Sequence, residues 1–268
     1  MPVQRSYSQR NNAAFEIWMG ERTAAREAAF FLQHLRGGMR VLDVGCGPGA
    51  ITLGLAEVVA PGSIVGLDIQ ASQVDQAKHR ATRCGGTNLL LVAGDAYRLP
   101  FAPHSFDAAF AHAVLMHLRV PVRALEEIRR VLRPGGIAGL RDPDWGAEIL
   151  APSTPLLEEC RSLRIRVRRH HGGDPFVGRD HRRLLLQAGF ARAEARATVE
   201  SAGSLEETRR DAAFRKAAFQ GAAATAVAKG WVNRATVDSI LAEIDAWAER
   251  PDAFLAKTWC EAVGWTGR

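Results

Sequence analysis

The stretch VLDVGCGPG, residues 41–49, reads as a buried strand (Val41, Leu42, Asp43, Val44) running straight into a loop with glycine at 45, 47 and 49. Ile51 to Ala60 follows with a helix-like composition. Glycines at a strand-to-helix turn allow backbone angles that side chains forbid, and they let the main chain approach a ligand closely. The helix behind such a turn begins with unpaired N–H groups, so a polar ligand can lie across it. A nucleotide-type ligand is the expected tenant.

Outward from this turn the chain alternates. Strands are expected at 39–44, 63–68, 88–93, 106–111 and 137–142, with helices at 50–59, 71–83 and 121–132 between them. Apolar, β-branched strands separated by helices argue for a parallel sheet covered on both faces. Right-handed crossovers then bring the C-terminal ends of the strands to one edge, where ligands bind in open α/β sheets. Asp43, Asp68, Asp95, Ala111 and Asp142 fall at those ends. Residues 11–36 carry apolar positions at helical spacing and are expected to pack on this core. Beyond 145, helices are expected at 153–170, 179–188, 205–227 and 236–248, with strands at 190–199 and 253–265. The expectation is α/β, a Rossmann-like, mostly parallel sheet of seven strands with a helical cap, 201–250, inserted between the last two. The whole of 1–268 is read as one domain: an N-terminal helical segment (1–38), a ligand-binding core (39–145) and a substrate-side half (146–268).

Two ligands compete for the loop. Gly45, Gly47 and Ala50 satisfy G-x-G-x-x-G/A, and Asp68 lies where a ribose-binding carboxylate belongs, as in NAD sites. However, Asp43 puts a negative charge two residues before the first glycine, which repels a pyrophosphate and suits a cation such as S-adenosylmethionine. A second acidic turn, Gly94-Asp95-Ala96, follows the apolar run Leu89–Ala93, and LRPGG (132–136) leads into a strand ending at Asp142.

With those pieces in place the chain resembles the class I S-adenosylmethionine-dependent methyltransferases, above all the ubiquinone/menaquinone-biosynthesis type and related small-molecule enzymes. The matching segments are VLDVGCGPG (41–49), VGLDI (65–69), AGDAYRLPF (93–101), SFDAAFAHAVLMHL (105–118) and RRVLRPGG (129–136). They cover about residues 39 to 145; GGDPFVGRDHRRLLLQAGF (172–190) is a less distinctive match. The resemblance implies S-adenosylmethionine as cofactor and S-adenosylhomocysteine as product. Gly45, Cys46, Gly47 and Gly49 would then flank the methionine portion, with Asp43 near its amino group. Asp68 would accept from the ribose hydroxyls and Ile69 pack on the adenine. Gly94, Asp95 and Ala96 would hold the adenine edge, and Ala111 and His112 meet the methionine end.

Candidate acid/base groups are His112, His117, Arg141 and Asp142; each of them also reads plausibly as a structural side chain. Tyr7, Trp18, Asp144, Trp145 and Arg179 are expected at the acceptor. The expected reaction is methyl transfer to O, N or C of a secondary metabolite or quinone-like compound. An RNA or protein methyltransferase and a non-catalytic cofactor-binding module are the alternatives. At 268 residues and 47% hydrophobic, the chain suits a globular enzyme. Scattered cysteines at 46, 84, 160 and 260 indicate neither a metal nor a disulfide framework. No apolar run reaches membrane-spanning length, and the polar start MPVQRSYSQRNN is unlike a signal peptide, so a cytoplasmic monomer or homodimer is expected. Net charge is +6, and the densest basic run is Arg161 to His171. That run reads first as a solvated helix face; an anionic small substrate and RNA are the alternatives. Nucleic acid is disfavoured because no aromatic residues interleave with these arginines.

Overall fold

A computed structural model describes residues 19–267. Tyr7 and Trp18 therefore lie outside the described residues. Two short helices, α1 (Ala24–Glu27) and α2 (Ala29–Leu32), precede the glycine-loop strand. The order then runs β1 (Arg40–Val44), α3 (Ala50–Val59), β2 (Ser63–Asp68), α4 (Ala71–Arg83), β3 (Leu89–Ala93), β4 (Phe106–His112) and α5 (Pro121–Val131). The second half holds β5 (Leu132–Ala151), α6 (Pro155–His170), α7 (His181–Gln187), β6 (Arg192–Ala202), α8 (Leu205–Ala228), α9 (Arg234–Ala248) and β7 (Phe254–Trp265).

The seven strands form one sheet in the order β3-β2-β1-β4-β5-β7-β6. The first five pair in parallel, whereas β7 runs antiparallel to both β5 and β6. The sheet is thus mostly parallel, with a reversed strand between β5 and β6. β5 is far longer than the six residues expected at 137–142. Its extension past Asp144, through a register shift, pairs with the start of β7 up to Ala151↔Phe254. That pairing partner arrives from more than a hundred residues away, so no local signal marked the extension.

Apolar residues fill both faces of the sheet, as strands buried on two sides require. One cluster packs Leu42, Val65, Phe106 and Leu140 with Leu125, Ile128 and Leu185 of the helices α5 and α7. The other joins Val41, Ile64 and Phe110 to Phe31 and Leu55. A third, separate cluster unites α6, α8 and α9 through Leu163, Phe219, Ile240, Ile244 and Trp247.

The cap helices start cleanly. Ser204 accepts from the Glu207 N–H while the Glu207 carboxylate accepts from the Ser204 N–H, a capping box opening α8. Asn233 accepts from the Thr236 N–H at 2.8 Å to open α9. Trp247 ties the cap to the sheet, its indole donating to the Ala151 carbonyl at 3.2 Å from a side chain only 1% exposed. Trp247→Ala should destabilise the fold by about 3–5 kcal/mol through cavity formation. Urea unfolding measures this, and an unchanged midpoint would show that the cap does not depend on this anchor.

Candidate functional site

The glycine loop leaves β1 with Gly45 at φ 74°. A Cβ there would come within 2.3 Å of Val114, so glycine is required both for the turn and for the approach of the β4–α5 segment. The Gly45 and Cys46 amides donate to the Leu67 carbonyl at 2.6 and 3.0 Å, drawing the loop across the end of β2. Asp68 completes the bracket. Its two carboxylate oxygens accept from the Gly47 N–H at 3.0 Å and the Gln70 N–H at 2.8 Å.

This rim opens onto a cavity of about 900 Å³, at the upper end of the ~300–1,000 Å³ usual for ligand pockets. Asp43, Gly45, Cys46, Gly47, Asp68, Ile69, Gly94, Asp95, Ala96 and His112 all line it. Gly49 and Ala111 do not. Gly49 adopts a left-handed N-cap of α3 packed against Ala77, and Ala111 is fully buried in the sheet between Val44 and Leu140.

The acidic side of the cavity is electrostatically unusual. Burial, partly offset by the hydrogen bond from the Thr52 hydroxyl (2.7 Å) and reinforced by Asp68, pushes the Asp43 carboxyl up to about 7. Burial also raises Asp68, against its backbone hydrogen bonds. Ile69 is 52% exposed, an apolar side chain open to the cavity. Gln73 Oε1, also at the cavity, is buried with no hydrogen-bond partner. An open glycine position at Gly47, an open apolar face and an unpaired buried acceptor form a cradle of the right chemistry for an adenosyl amino acid.

The four acid/base candidates separate into two pairs. His112 and His117 line the cavity, whereas Arg141 and Asp142 do not. Arg141 is 2% exposed and bridges Glu27, Glu200 (2.7 Å) and Glu261 (3.2 Å), with its guanidinium over the Trp259 ring at 4.2 Å. Asp142 is fully buried, accepting from the Met116 N–H at 3.1 Å and from His181 Nε2 at 3.0 Å. Against the expectation that this pair faces the reacting groups, the structure places both away from the cavity lining, as internal ties between β5 and its neighbours.

His112 is neutral. Burial and the Arg22 charge pull it down to about 4, outweighing Glu27. With the proton on Nε2 the ring donates to Glu27 at 3.1 Å and accepts from Arg22 at Nδ1 at 3.3 Å, and Arg141, 3.1 Å from the same Nε2, then bonds to Glu27 instead. Burial opposes ionisation of Glu27 itself, but His112, Arg141 and Arg22 hold it at about 2. His117 is pushed well below the usual imidazole range by burial and then by Arg168, which donates to its Nδ1.

On the acceptor side, Asp144 and Trp145 line the cavity and Arg179 does not. Arg179 instead holds Asp144 with two hydrogen bonds of 2.7 Å, from a side chain 54% exposed. Sequence reasoning missed most of the charged groups on the opposite wall: Glu148, Arg164, Arg168, Arg215 and Lys257. Arg164 and Arg168 belong to the basic run read first as a solvated helix face. Its inward turn follows from α8 and α9 covering the other side of α6. An i, i+4 pair of arginines was the one available signal. Among the described residues there is no group of His, Cys, Asp or Glu that could hold a metal ion, and no helix is long and apolar enough to cross a membrane.

Comparison with known proteins agrees with this geometry. A family model described as a methyltransferase domain matches residues 35–172, just over half of the chain. An uncharacterised 37.1 kDa protein of a Streptomyces fradiae transposon is 39% identical over 157 residues, 58% of this chain and 44% of that protein. A demethylmenaquinone methyltransferase of Staphylococcus epidermidis is 30% identical over 166 residues, 60% of this chain and 63% of the relative. The chain thus spans less than two thirds of the length of these curated relatives. Among solved structures, the YcgJ protein of Bacillus subtilis superposes with a TM-score of 0.62 at 20% identity, covering 90% of this chain and 98% of that one. At that identity the likeness speaks for the fold. By the match to its domain model, the chain belongs to the methyltransferase-domain family.

Proposed function

We propose that this protein transfers a methyl group from S-adenosylmethionine to oxygen, nitrogen or carbon of a small molecule, a secondary metabolite or quinone-like acceptor. The carrying observation is that Asp43, Asp68 and Asp95, from the ends of three neighbouring strands, line one cavity beside a glycine turn. The demethylmenaquinone methyltransferase among the relatives supports a small-molecule acceptor.

In this reading the Gly45–Gly47 backbone flanks the methionine portion, and Asp43 pairs with its ammonium. Asp68 receives the ribose hydroxyls; each of its oxygens already holds one backbone N–H and keeps a second lone pair. Ile69 packs on the adenine, and Asp95 with Ala96 takes the adenine edge. When bound, S-adenosylmethionine supplies a methyl carbon made electrophilic by its sulfonium. The chain's own part is chiefly orientation and exclusion of water, which suits an in-line displacement. Depressed histidines are poor proton acceptors at neutral pH. His112 and His117 accordingly shape the wall, and the acceptor atom is one already nucleophilic when bound.

Two measurements test these assignments. Asp68→Ala should weaken S-adenosylhomocysteine binding by about 1–3 kcal/mol, the loss of a charged acceptor; unchanged affinity by calorimetry would remove Asp68 from the site. The second is pH dependence. Below about 7 the buried Asp43 carboxyl is protonated, and an ammonium-bearing ligand must expel that proton. Affinity should therefore rise with pH up to about 7 and then level, by at most ~1.4 kcal/mol per unit. Asp43→Asn should flatten the profile; identical pH profiles for the two proteins would exclude the Asp43–ammonium contact.

A further inference from the structure

Helix α6 divides its side chains by charge. Leu157, Cys160, Leu163 and Val167 pack into the cap cluster, while Arg164 and Arg168 face the cavity. Both guanidinium groups lie over the Trp145 ring, at 4.7 and 5.3 Å from its centroid. Two carboxylates and two further cations surround them. Glu148 accepts from Arg215 at 3.0 Å, and Asp211 takes Lys257 and lies 3.6 Å from Arg215. Those four charges pair with one another. Arg168 is engaged with His117. Arg164 is left over: among the described residues it makes no hydrogen bond and no ion pair, although it is partly buried. Burial and the neighbouring Arg215 charge lower its affinity for its own proton, with Glu148 and Asp211 opposing.

A guanidinium offers five N–H donors, and leaving them unmet away from bulk water is costly. Stacking on an indole fixes the plane of the group and leaves its edges able to bind two oxygens at once. We propose that Arg164 is the anchor for an oxyanion, a carboxylate or a phosphate, carried by the methyl acceptor. That the anion belongs to the acceptor rests on the methyltransferase reading above; that an oxyanion binds here rests on Arg164 alone.

The two walls of the cavity then sort its occupants. Asp43, Asp68 and Asp95 repel an anion and attract a cationic donor, whereas on the opposite wall Glu148 and Asp211 are paired with Arg215 and Lys257 and Arg164 stands beside them to attract an anion. An acceptor held by its anionic group at Arg164 is directed away from the acidic rim, and the rest of the molecule extends from there toward the glycine loop.

Calorimetry on the full chain, with and without S-adenosylhomocysteine, compares benzoate, phenyl phosphate and the neutral benzamide. At least one anion should bind roughly 10-fold or more tighter than benzamide. Arg164→Gln should erase that preference while S-adenosylhomocysteine affinity stays unchanged, and Arg164→Lys should keep part of it. Preference for benzoate marks a carboxylate; preference for phenyl phosphate marks a phosphate. Equal binding of all three probes to the wild type, no binding of any of them at millimolar concentration, or a preference that survives in Arg164→Gln overturns the proposal. If Arg164→Gln does not fold, the wild-type comparison and Arg164→Lys decide. Failure to bind S-adenosylhomocysteine with the anion preference intact would sink the methyltransferase reading and leave the oxyanion site standing. The reverse result would sink only the oxyanion site.

Discussion

The clamp between Asp68 and the glycine loop is the constraint on which the site depends. One carboxylate, at the end of β2, holds the Gly47 and Gln70 amides, while the Leu67 carbonyl beside it takes the Gly45 and Cys46 amides. Two adjacent strand ends are thereby locked into one rim without a side chain at position 45 to block Val114. Because each carboxylate oxygen retains a lone pair, the group that shapes the rim is also able to serve a ligand. A structural and a binding role thus coincide in one side chain. The cost is a carboxylate held in a poorly solvated place, visible in its raised pKa.

A second, separate set of buried charges secures the other half. Arg141 joins α1 through Glu27, β6 through Glu200 and β7 through Glu261, and His181 joins α7 to β5 through Asp142. Buried pairs of this kind add little net stability against apolar substitutes, but removing one partner strands the other. Their value is positional. They fix the reversed strand β7 between β5 and β6, and β7 carries Lys257, Thr258 and Trp259 to the cavity. His112 stays neutral beside them because burial, and then the charges of Arg22 and Arg141 at its ring, disfavour a second proton.

The cavity therefore holds charges of both signs. Its acidic rim comes from the parallel strands, whereas Arg164 and Arg168 come from α6, which is distant in sequence from the glycine loop. Under the proposed reaction, this charge separation orients two unlike molecules without requiring a proton-transfer group. Orientation of that sort is among the larger contributions available to a displacement reaction.

What the sequence by itself determined was local. The alternation of strands and helices, the glycine turn and the position of each aspartate at a strand end follow from patterns within a few residues, so β1 to β4, their order of use and the acidic rim were legible. The cap helices were equally readable from their composition, and the structure adds the residues that open them, Ser204 and Asn233. Only the tertiary structure decided which charges face the cavity. Arg141 and Asp142 look, in sequence, like any polar pair at a strand end; their partners lie 26 to 120 residues away. Arg164 and Arg168 look like a solvated face until α8 and α9 cover the other side of α6. A charged side chain has the same local signature whether it meets water, a counterion or a cavity, because what it faces is set by elements that pack against it from elsewhere in the chain.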